Sequence, residues 1–148
     1  MSALLDTNVL TRLALPDHPE HALTQVAVAA LARTDAPLCV VPQNLYEFWV
    51  VATRPSGQNG LGFTLSQARD EIARINYLFK RMSDPPDLYD EWQHLVAHYD
   101  VMGKPAHDAR LVAAMNLHRI PKLLTFNPRD FSRYPMIQVI TPSQLAST

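Results

Sequence analysis

The sequence Ala3-Leu4-Leu5-Asp6-Thr7-Asn8-Val9-Leu10 carries the clearest structural signal in this chain. Its first three residues form an uninterrupted apolar run, which is typical of a buried strand. Asp6 ends that run, and the residues after it predict a short helix that Pro16 closes. A buried strand that leads directly into a helix indicates the first unit of a parallel α/β sheet.

The alternation of strands and helices continues along the whole chain. Short apolar runs predict further strands at residues 38–41, 122–125 and 136–140. Apolar residues at helical spacing, punctuated by prolines, predict helices at residues 19–33, 42–53, 64–79 and 83–100, and one more that begins at Pro105. We therefore predict one α/β domain over residues 1–148, with a parallel sheet of four or five strands flanked by helices.

The composition excludes several classes of protein. The chain has 148 residues, of which 47% are apolar and 18% charged, which is too apolar for a disordered chain. No apolar run is long enough to span a membrane, and the first residues lack the pattern of a signal peptide, so we expect a cytoplasmic protein. The single cysteine, Cys39, excludes an internal disulfide framework. The formal net charge of −1 gives no sign of a general nucleic-acid binder.

The informative charges are four acids beside apolar sequence. Asp6 directly follows the first strand, and Glu47 is the only charged residue between Cys39 and Thr53. Asp108 lies in the first turn of a largely apolar helix, and Asp130 lies just after the third predicted strand. A carboxylate among apolar neighbours is costly unless it has a partner or a metal ion.

Acids at strand ends and helix starts can converge at one edge of a parallel sheet, where function gathers. Carboxylates that share a site need a cation between them to stay ionised. Oxygen ligands without a cysteine cluster suit Mg²⁺ or Mn²⁺, and such an ion can hydrolyse a phosphodiester. The sequence thus favours a metal-dependent site that acts on phosphate esters.

Each acid also has a purely structural interpretation. Asp6 suits the N-cap of the following helix, and Asp108 suits the positive end of its helix dipole. Asp130 suits an ordinary turn. Glu47 is the hardest to explain in this way, because it would need an ion pair with a base such as Arg54.

Four blocks of the sequence together resemble the PIN domain, and in particular the VapC-type toxin ribonucleases of prokaryotic toxin–antitoxin pairs. The blocks are residues 4–10, Glu47 on its apolar helix, residues 107–109 (His-Asp-Ala), and residues 123–131 (Leu-Leu-Thr-Phe-Asn-Pro-Arg-Asp-Phe). The resemblance implies a parallel α/β sheet, an acidic pocket that binds Mg²⁺ or Mn²⁺, and cleavage of RNA. It also implies frequent homodimers and neutralisation by a cognate antitoxin.

By position, the resemblance assigns the three core acids to Asp6, Glu47 and Asp108. A fourth acid usually lies two residues after the threonine, where this chain has Asn127, whereas many relatives resemble the form that places Asp130 three residues later. Either Asn127 or Asp130 is therefore a candidate for the fourth group of the metal site. The acids expected to bind the metal and to be catalytic are Asp6, Glu47, Asp108 and Asp130. The expected orienting residues are Thr7, Asn8, Thr125 and Asn127.

Basic and apolar residues suggest partners. Several basic residues lie near the predicted motifs, and phosphate attracts such side chains; they are Arg12, Arg54, Lys104, Arg110, Arg119, Lys122, Arg129 and Arg133. Arg54 and Arg129 are the best candidates for RNA binding. The apolar stripe from Leu65 to Phe79, with Tyr77, Leu78 and Trp92, predicts a homodimer.

Two alternatives stay open. A PIN-like module that binds RNA or a protein without cleaving would account for Asn127 at the position of an acid. An aspartyl phosphatase also begins with an acid after the first strand, but it would need a second acid where this chain has Asn8.

Overall fold

Five short strands form one parallel sheet in the computed structural model, which describes residues 1–147. The strands are β1 (Ala3–Leu5), β2 (Leu38–Val40), β3 (Lys80–Arg81), β4 (Lys122–Leu124) and β5 (Gln138–Ile140). Their order across the sheet is β3-β2-β1-β4-β5, and Leu4 of β1 pairs with Cys39 on one side and with Leu123 on the other. The prediction of an α/β domain with a parallel sheet of four or five strands is confirmed.

Seven α-helices of the described chain flank this sheet. They are α1 (Thr7–Ala14), α2 (His21–Ala32), α3 (Pro42–Thr53), α4 (Leu65–Leu78), α5 (Leu88–His98), α6 (Pro105–His118) and α7 (Pro142–Ala146). Prolines begin α3, α6 and α7, where the missing N–H has no partner to lose. Thr64 and Gln67 form a capping box that starts α4.

The helices cover the two faces of the sheet in two layers. Leu4, Cys39 and Leu123 face the layer that contains α5 and α6, and their chain neighbours Leu5 and Leu124 face the opposite layer. That second layer contains α1, α2, α3, α4 and α7. The central strands β1 and β2 therefore bury alternate side chains in different cores, which explains why these two strands are apolar throughout. No helix in the described part of the chain has the length and apolar character that crossing a bilayer requires.

The strand order places a switch in topology next to β1. The chain moves outward from β1 through β2 to β3, and β4 and β5 are added on the other side of β1. In open parallel sheets a crevice forms at such a point, beyond the carboxyl ends of the strands. Asp6 follows β1 and Thr125 follows β4, so both residues lie at this crevice.

Several local features of the structure go beyond the sequence-based predictions or differ from them. The strand β3 was not predicted, because two exposed basic residues give no apolar signal. Helix α5 begins at Leu88 rather than at residue 83, since the prolines at 85 and 86 precede the helix instead of forming its first turn. The apolar stripe of α4 is mostly core, with Ala68 and Ile75 buried, whereas Leu65 is 66% exposed.

Candidate active site

Asp6 is held at the crevice by donors from three residues. Its Oδ1 accepts a hydrogen bond from the Thr7 backbone N–H at 2.8 Å, as an N-cap does. Its Oδ2 accepts from the Thr125 hydroxyl at 2.6 Å and from Asn8 Nδ2 at 3.4 Å. Burial raises the pKa of Asp6, the hydrogen bonds from Thr125 and Thr7 oppose the rise, and the charges of Glu47 and Asp130 add to it.

Glu47 lies on α3, and hydrogen bonds to neighbouring polar side chains hold its carboxylate at the same crevice. The Thr7 hydroxyl donates to Glu47 Oε1 at 2.8 Å, and Asn44 Nδ2 donates to that hydroxyl at 3.3 Å. Asn44 is fully buried and accepts from the Val41 backbone N–H at 2.9 Å, which fixes its amide. No ion pair joins Glu47 to Arg54 in residues 1–147. The structure therefore does not support the alternative in which Glu47 serves only to form an ion pair with Arg54.

Asp108 comes from the opposite layer, in the first turn of α6. Within the described chain its carboxylate accepts no hydrogen bond and makes no ion pair. Burial above all, and then the charges of Asp6, Asp130 and Glu47, raise the pKa of Asp108 to about 7 against the opposing charge of Arg133. A raised carboxyl pKa with acids as neighbours is typical of a functional site.

One open cavity of about 590 Å³ brings these acids together. Asp6, Glu47, Asp108 and Asp130 all line it, together with Asn127. Asp130 lies on the exposed turn Pro128–Phe131, and the backbone N–H of Asn127 donates to the Thr125 hydroxyl at 3.0 Å. The structure therefore brings all four predicted acids to one cavity, with Asn127 and Asp130 on the same wall.

Two arginines also line the cavity. Arg54 ends α3 and is half-buried, and the loop after it folds back so that the Gly62 N–H donates to the Arg54 carbonyl at 2.9 Å. Gly60 must be a glycine there, because a Cβ would lie 2.0 Å from that same carbonyl oxygen. Arg12 packs over the Phe126 ring and pairs with Glu20 at 3.1 Å. Positive charge thus lines the cavity that holds the acids.

The acidic side chains that line the cavity have the chemistry of ligands for a hard divalent cation, although they are not close enough together to coordinate one. Carboxylate oxygens are the ligands that Mg²⁺ and Mn²⁺ prefer. Among residues 1–147, however, no group of three or more His, Cys, Asp or Glu side chains is close enough together to hold a metal ion as it stands.

Some of the other predicted site residues contact the acids, and one lies outside the cavity. Thr7, Asn8 and Thr125 hydrogen-bond to the acids, and the side-chain amide oxygen Oδ1 of Asn8 accepts from the Phe126 N–H at 3.2 Å. Arg129 is exposed and does not line the cavity, unlike Arg54.

Sequence reasoning missed several residues at this site. Gln43 lies one helical turn before Glu47, a spacing that could have revealed the contact between them. Asn44 had no such signal, because its partner Thr7 lies 37 residues away in the sequence. Thr11, Asn59, Val50 and Val51 complete the lining of the cavity.

Comparison with known families gives one match. The family model described as PIN domain matches residues 3–136. No curated protein matches the sequence at a significant level.

Solved structures with a similar fold include several toxin–antitoxin proteins. VapBC-1 from nontypeable Haemophilus influenzae has a TM-score of 0.70 at 14% identity, covering 97% of this chain and 99% of the other. VapBC2 from Rickettsia felis, bound to a DNA fragment from its promoter, has a TM-score of 0.68 at 14% identity, covering 95% and 98%. VapC20 from Mycobacterium tuberculosis, a sarcin–ricin-loop-cleaving toxin, has a TM-score of 0.64 at 19% identity, covering 89% and 95%.

Proposed function

This chain belongs to the PIN domain family, and we propose on that premise that it is a metal-dependent endoribonuclease, the toxin of a type II toxin–antitoxin pair. The observation that carries the proposal is the single cavity that four acids from both layers line together with Arg54. Acids that are far apart in sequence meet beside a positive side chain, an arrangement that suits metal-assisted cleavage of a phosphodiester. The proposed site of action is the cytoplasm, where cellular RNA is available.

In this proposal Asp6, Glu47 and Asp108 hold Mg²⁺ or Mn²⁺, and Asp130 or Asn127 provides the fourth group. When bound, such a cation supplies a hydroxide nucleophile near neutral pH and stabilises the charge on the phosphate and the leaving oxygen. Thr7, Asn8 and Thr125 orient the carboxylates through the hydrogen bonds described above. In this proposal the four acids are the catalytic residues.

The substrate in this proposal is RNA, bound by its phosphates. Arg54 lies where a guanidinium can contact the phosphate next to the acids, and its planar fork suits two phosphate oxygens at once. Arg129 lies outside the cavity, so we assign it to a neighbouring phosphate rather than to the one that is cleaved.

The proposal is tested by incubating the purified protein with a broad panel of cellular RNAs in the presence of Mn²⁺ or Mg²⁺. We expect discrete cleavage products, which EDTA abolishes and an excess of Mg²⁺ restores. RNA that stays intact in every metal, with no effect of EDTA, would contradict the assignment as a nuclease.

The non-cleaving binding module is the second candidate function. It is favoured by Asn127 at the position of an acid and by the absence of a ready-made metal cluster among residues 1–147. It predicts that RNA binds equally well with and without metal and that Asp6→Asn leaves the affinity unchanged. Membership in the PIN family removes the reason for considering an aspartyl phosphatase.

We further propose an antitoxin partner, because the similar structures include VapBC toxin–antitoxin proteins. An apolar cavity of about 520 Å³ between α1, α2 and α4 is the surface that suits it, with Leu13, Val28 and Leu78 in its lining. A partner encoded in the neighbouring reading frame should co-purify with the protein. Val28→Glu should disrupt that complex and leave RNA cleavage intact.

A homodimer is the remaining part of the proposal. Tyr77 is 89% exposed and Leu65 is 66% exposed on α4, and these are apolar side chains that a second copy could cover. Light scattering at micromolar concentration should give twice the chain mass. A monomer at that concentration would contradict the dimer and leave the nuclease assignment untouched.

A further inference from the structure

Gln43 connects two helices that otherwise lie in different layers. It is 5% exposed in the first turn of α3, and its Nε2 donates to the His107 carbonyl at 2.8 Å and to Glu47 Oε2 at 3.5 Å. Helix α3 packs against α1 and α4, whereas α6, which contains His107, packs against α5. This amide therefore connects the helix that contains Glu47 with the helix that contains Asp108.

The orientation of the Gln43 amide leaves one polar atom without a hydrogen bond within the described chain. Its Oε1 is buried and has no hydrogen-bond partner among the described residues. A buried acceptor without a donor is unfavourable. The reversed amide would be worse, because its oxygen would face a carbonyl and a carboxylate oxygen, and neither of them can donate. The two acceptors thus determine how this side chain lies.

One of these acceptors belongs to the peptide unit that leads into Asp108. The Asp108 carboxylate accepts no hydrogen bond from any residue of the described chain, although the charge of Arg133 lowers its pKa. Its position therefore depends on the backbone at the start of α6. Gln43 contacts this backbone, because its side chain donates to the His107 carbonyl. Gln43 belongs to α3, the helix that also contains Glu47, in the opposite layer.

We propose that Gln43 is a positioning residue that sets the separation between Glu47 and Asp108 and so prepares both carboxylates to bind one divalent cation. The inference rests on the proposed function, since it concerns the same site. Gln43 does not touch the substrate and is not a ligand. It acts through the two acids, by holding the carboxylate of one and the backbone that carries the other.

The test measures binding of Mn²⁺ by electron paramagnetic resonance in the absence of RNA. Gln43→Met keeps the length of the side chain but removes both N–H donors, and Gln93→Met on the exposed face of α5 is the matched control. We expect the Mn²⁺ affinity of Gln43→Met to fall about tenfold to a hundredfold, as it does when residues that orient ligands are lost. The control should bind Mn²⁺ like the wild type.

Two further measurements separate positioning from a general role in stability. We expect the thermal midpoint of metal-free Gln43→Met to stay within about 3 °C of the wild type, since the substitution also removes the unsatisfied Oε1. We also expect the effect of Gln43→Met to shrink strongly in an Asp108→Asn background, because the two residues then share one role. Equal losses of affinity in both backgrounds would overturn the proposal.

The outcomes distinguish the inference from the function on which it rests. If the wild type binds Mn²⁺ but cleaves no RNA, the nuclease assignment fails and the Gln43 result still decides the inference. If Gln43→Met binds Mn²⁺ as well as the wild type does, the inference fails and the nuclease assignment stands. A wild type that binds no Mn²⁺ at all would overturn both.

Discussion

The two halves of the candidate site differ in how their acids are held. Asp6 and Glu47, the hydrogen-bonded half, receive donors from Thr7, Asn8, Thr125 and Gln43. Asp108 and Asp130, the bare half, receive no hydrogen bond on their carboxylates from residues 1–147. The first half is thus organised by its own contacts, whereas the second half is positioned by its backbone and by repulsion among like charges. A cation would stabilise the bare half more, because no hydrogen-bond donor among residues 1–147 stabilises the charge of its carboxylates.

The same contrast explains the electrostatics. The pKa of Asp6 is raised by burial, but the Thr125 and Thr7 hydrogen bonds favour its ionised form. Asp108 lacks such donors, and its pKa rises to about 7. Near neutral pH Asp108 is therefore partly protonated in the metal-free protein, and binding of a cation would displace that proton.

The largest expected effect comes from removing charge in the hydrogen-bonded half. Asp6→Asn keeps the shape of the side chain but removes a negative charge from the centre of the site. We expect RNA cleavage to fall by on the order of a hundredfold or more, with little change in the fold. Initial rates at saturating Mg²⁺ measure the loss. Asp70→Asn, an exposed acid on α4, is the control and should cleave like the wild type.

The comparison between the halves is sharpened by the matching change at Asp130. Because Asp130 lies on an exposed turn at the rim of the cavity, Asp130→Asn should reduce cleavage by no more than about tenfold. A loss as large as that of Asp6→Asn would mean that the bare half contributes equally.

A smaller effect is expected from Thr7→Val, which tests whether hydrogen bonds organise the first half. Valine keeps the branched shape and the backbone donor to Asp6 but leaves Glu47 Oε1 and Asn44 Nδ2 without the hydroxyl. The affinity for Mn²⁺ should fall about tenfold. Thr7→Ser, which keeps the hydroxyl, should restore most of it, and calorimetric titration measures both variants.

The pH dependence of stability tests the bare half. The folded protein holds the proton of Asp108 more tightly than the unfolded chain does, because its pKa is about 7 in the fold. This contribution to the stability of the metal-free protein is complete below the unfolded pKa of about 4 and is lost as the pH rises through about 7. Mg²⁺ should therefore raise the thermal midpoint more at pH 8 than at pH 5.

The control for this measurement is Asp108→Asn, which removes the titrating group. Its metal-free thermal midpoint should change less between pH 5 and pH 8 than that of the wild type. Identical pH profiles for the two proteins would show that Asp108 does not titrate in this range.

The smallest effects are expected outside both halves, at the arginines. Arg54→Ala should raise the KM for RNA. It should also reduce the slope of the logarithm of RNA affinity against the logarithm of salt concentration by about 1, as the loss of one phosphate contact does. Arg129→Ala should have the weaker effect of the two, because Arg129 is exposed and does not line the cavity. Binding to a catalytically inactive Asp6→Asn background at several salt concentrations measures both, and a stronger effect of Arg129→Ala would reverse their assignment.

Much of the fold could be predicted because its signals are local. The bounds of α3, residues 42–53, agree with the prediction, since a proline at its start and Arg54-Pro55 at its end are both visible in the sequence. The strand β3 escaped prediction because it is recognised by its pairing with β2 rather than by apolar residues. The exposure of Leu65 escaped for a related reason, since periodicity predicts a face but not what covers it.

The sequence by itself determined which side chains are costly unless they have a function. Asp6 after a buried strand and Glu47 in an apolar helix were recognisable because the cost of burying a charge depends on the immediate neighbours. Only the tertiary structure decided how these acids are held. Thr125 reaches Asp6 across 119 residues because β4 lies next to β1, and Gln43 reaches His107 across 64 residues because two layers meet at one edge of the sheet. Such contacts depend on strand order and on the packing of layers, which no local pattern of residues records.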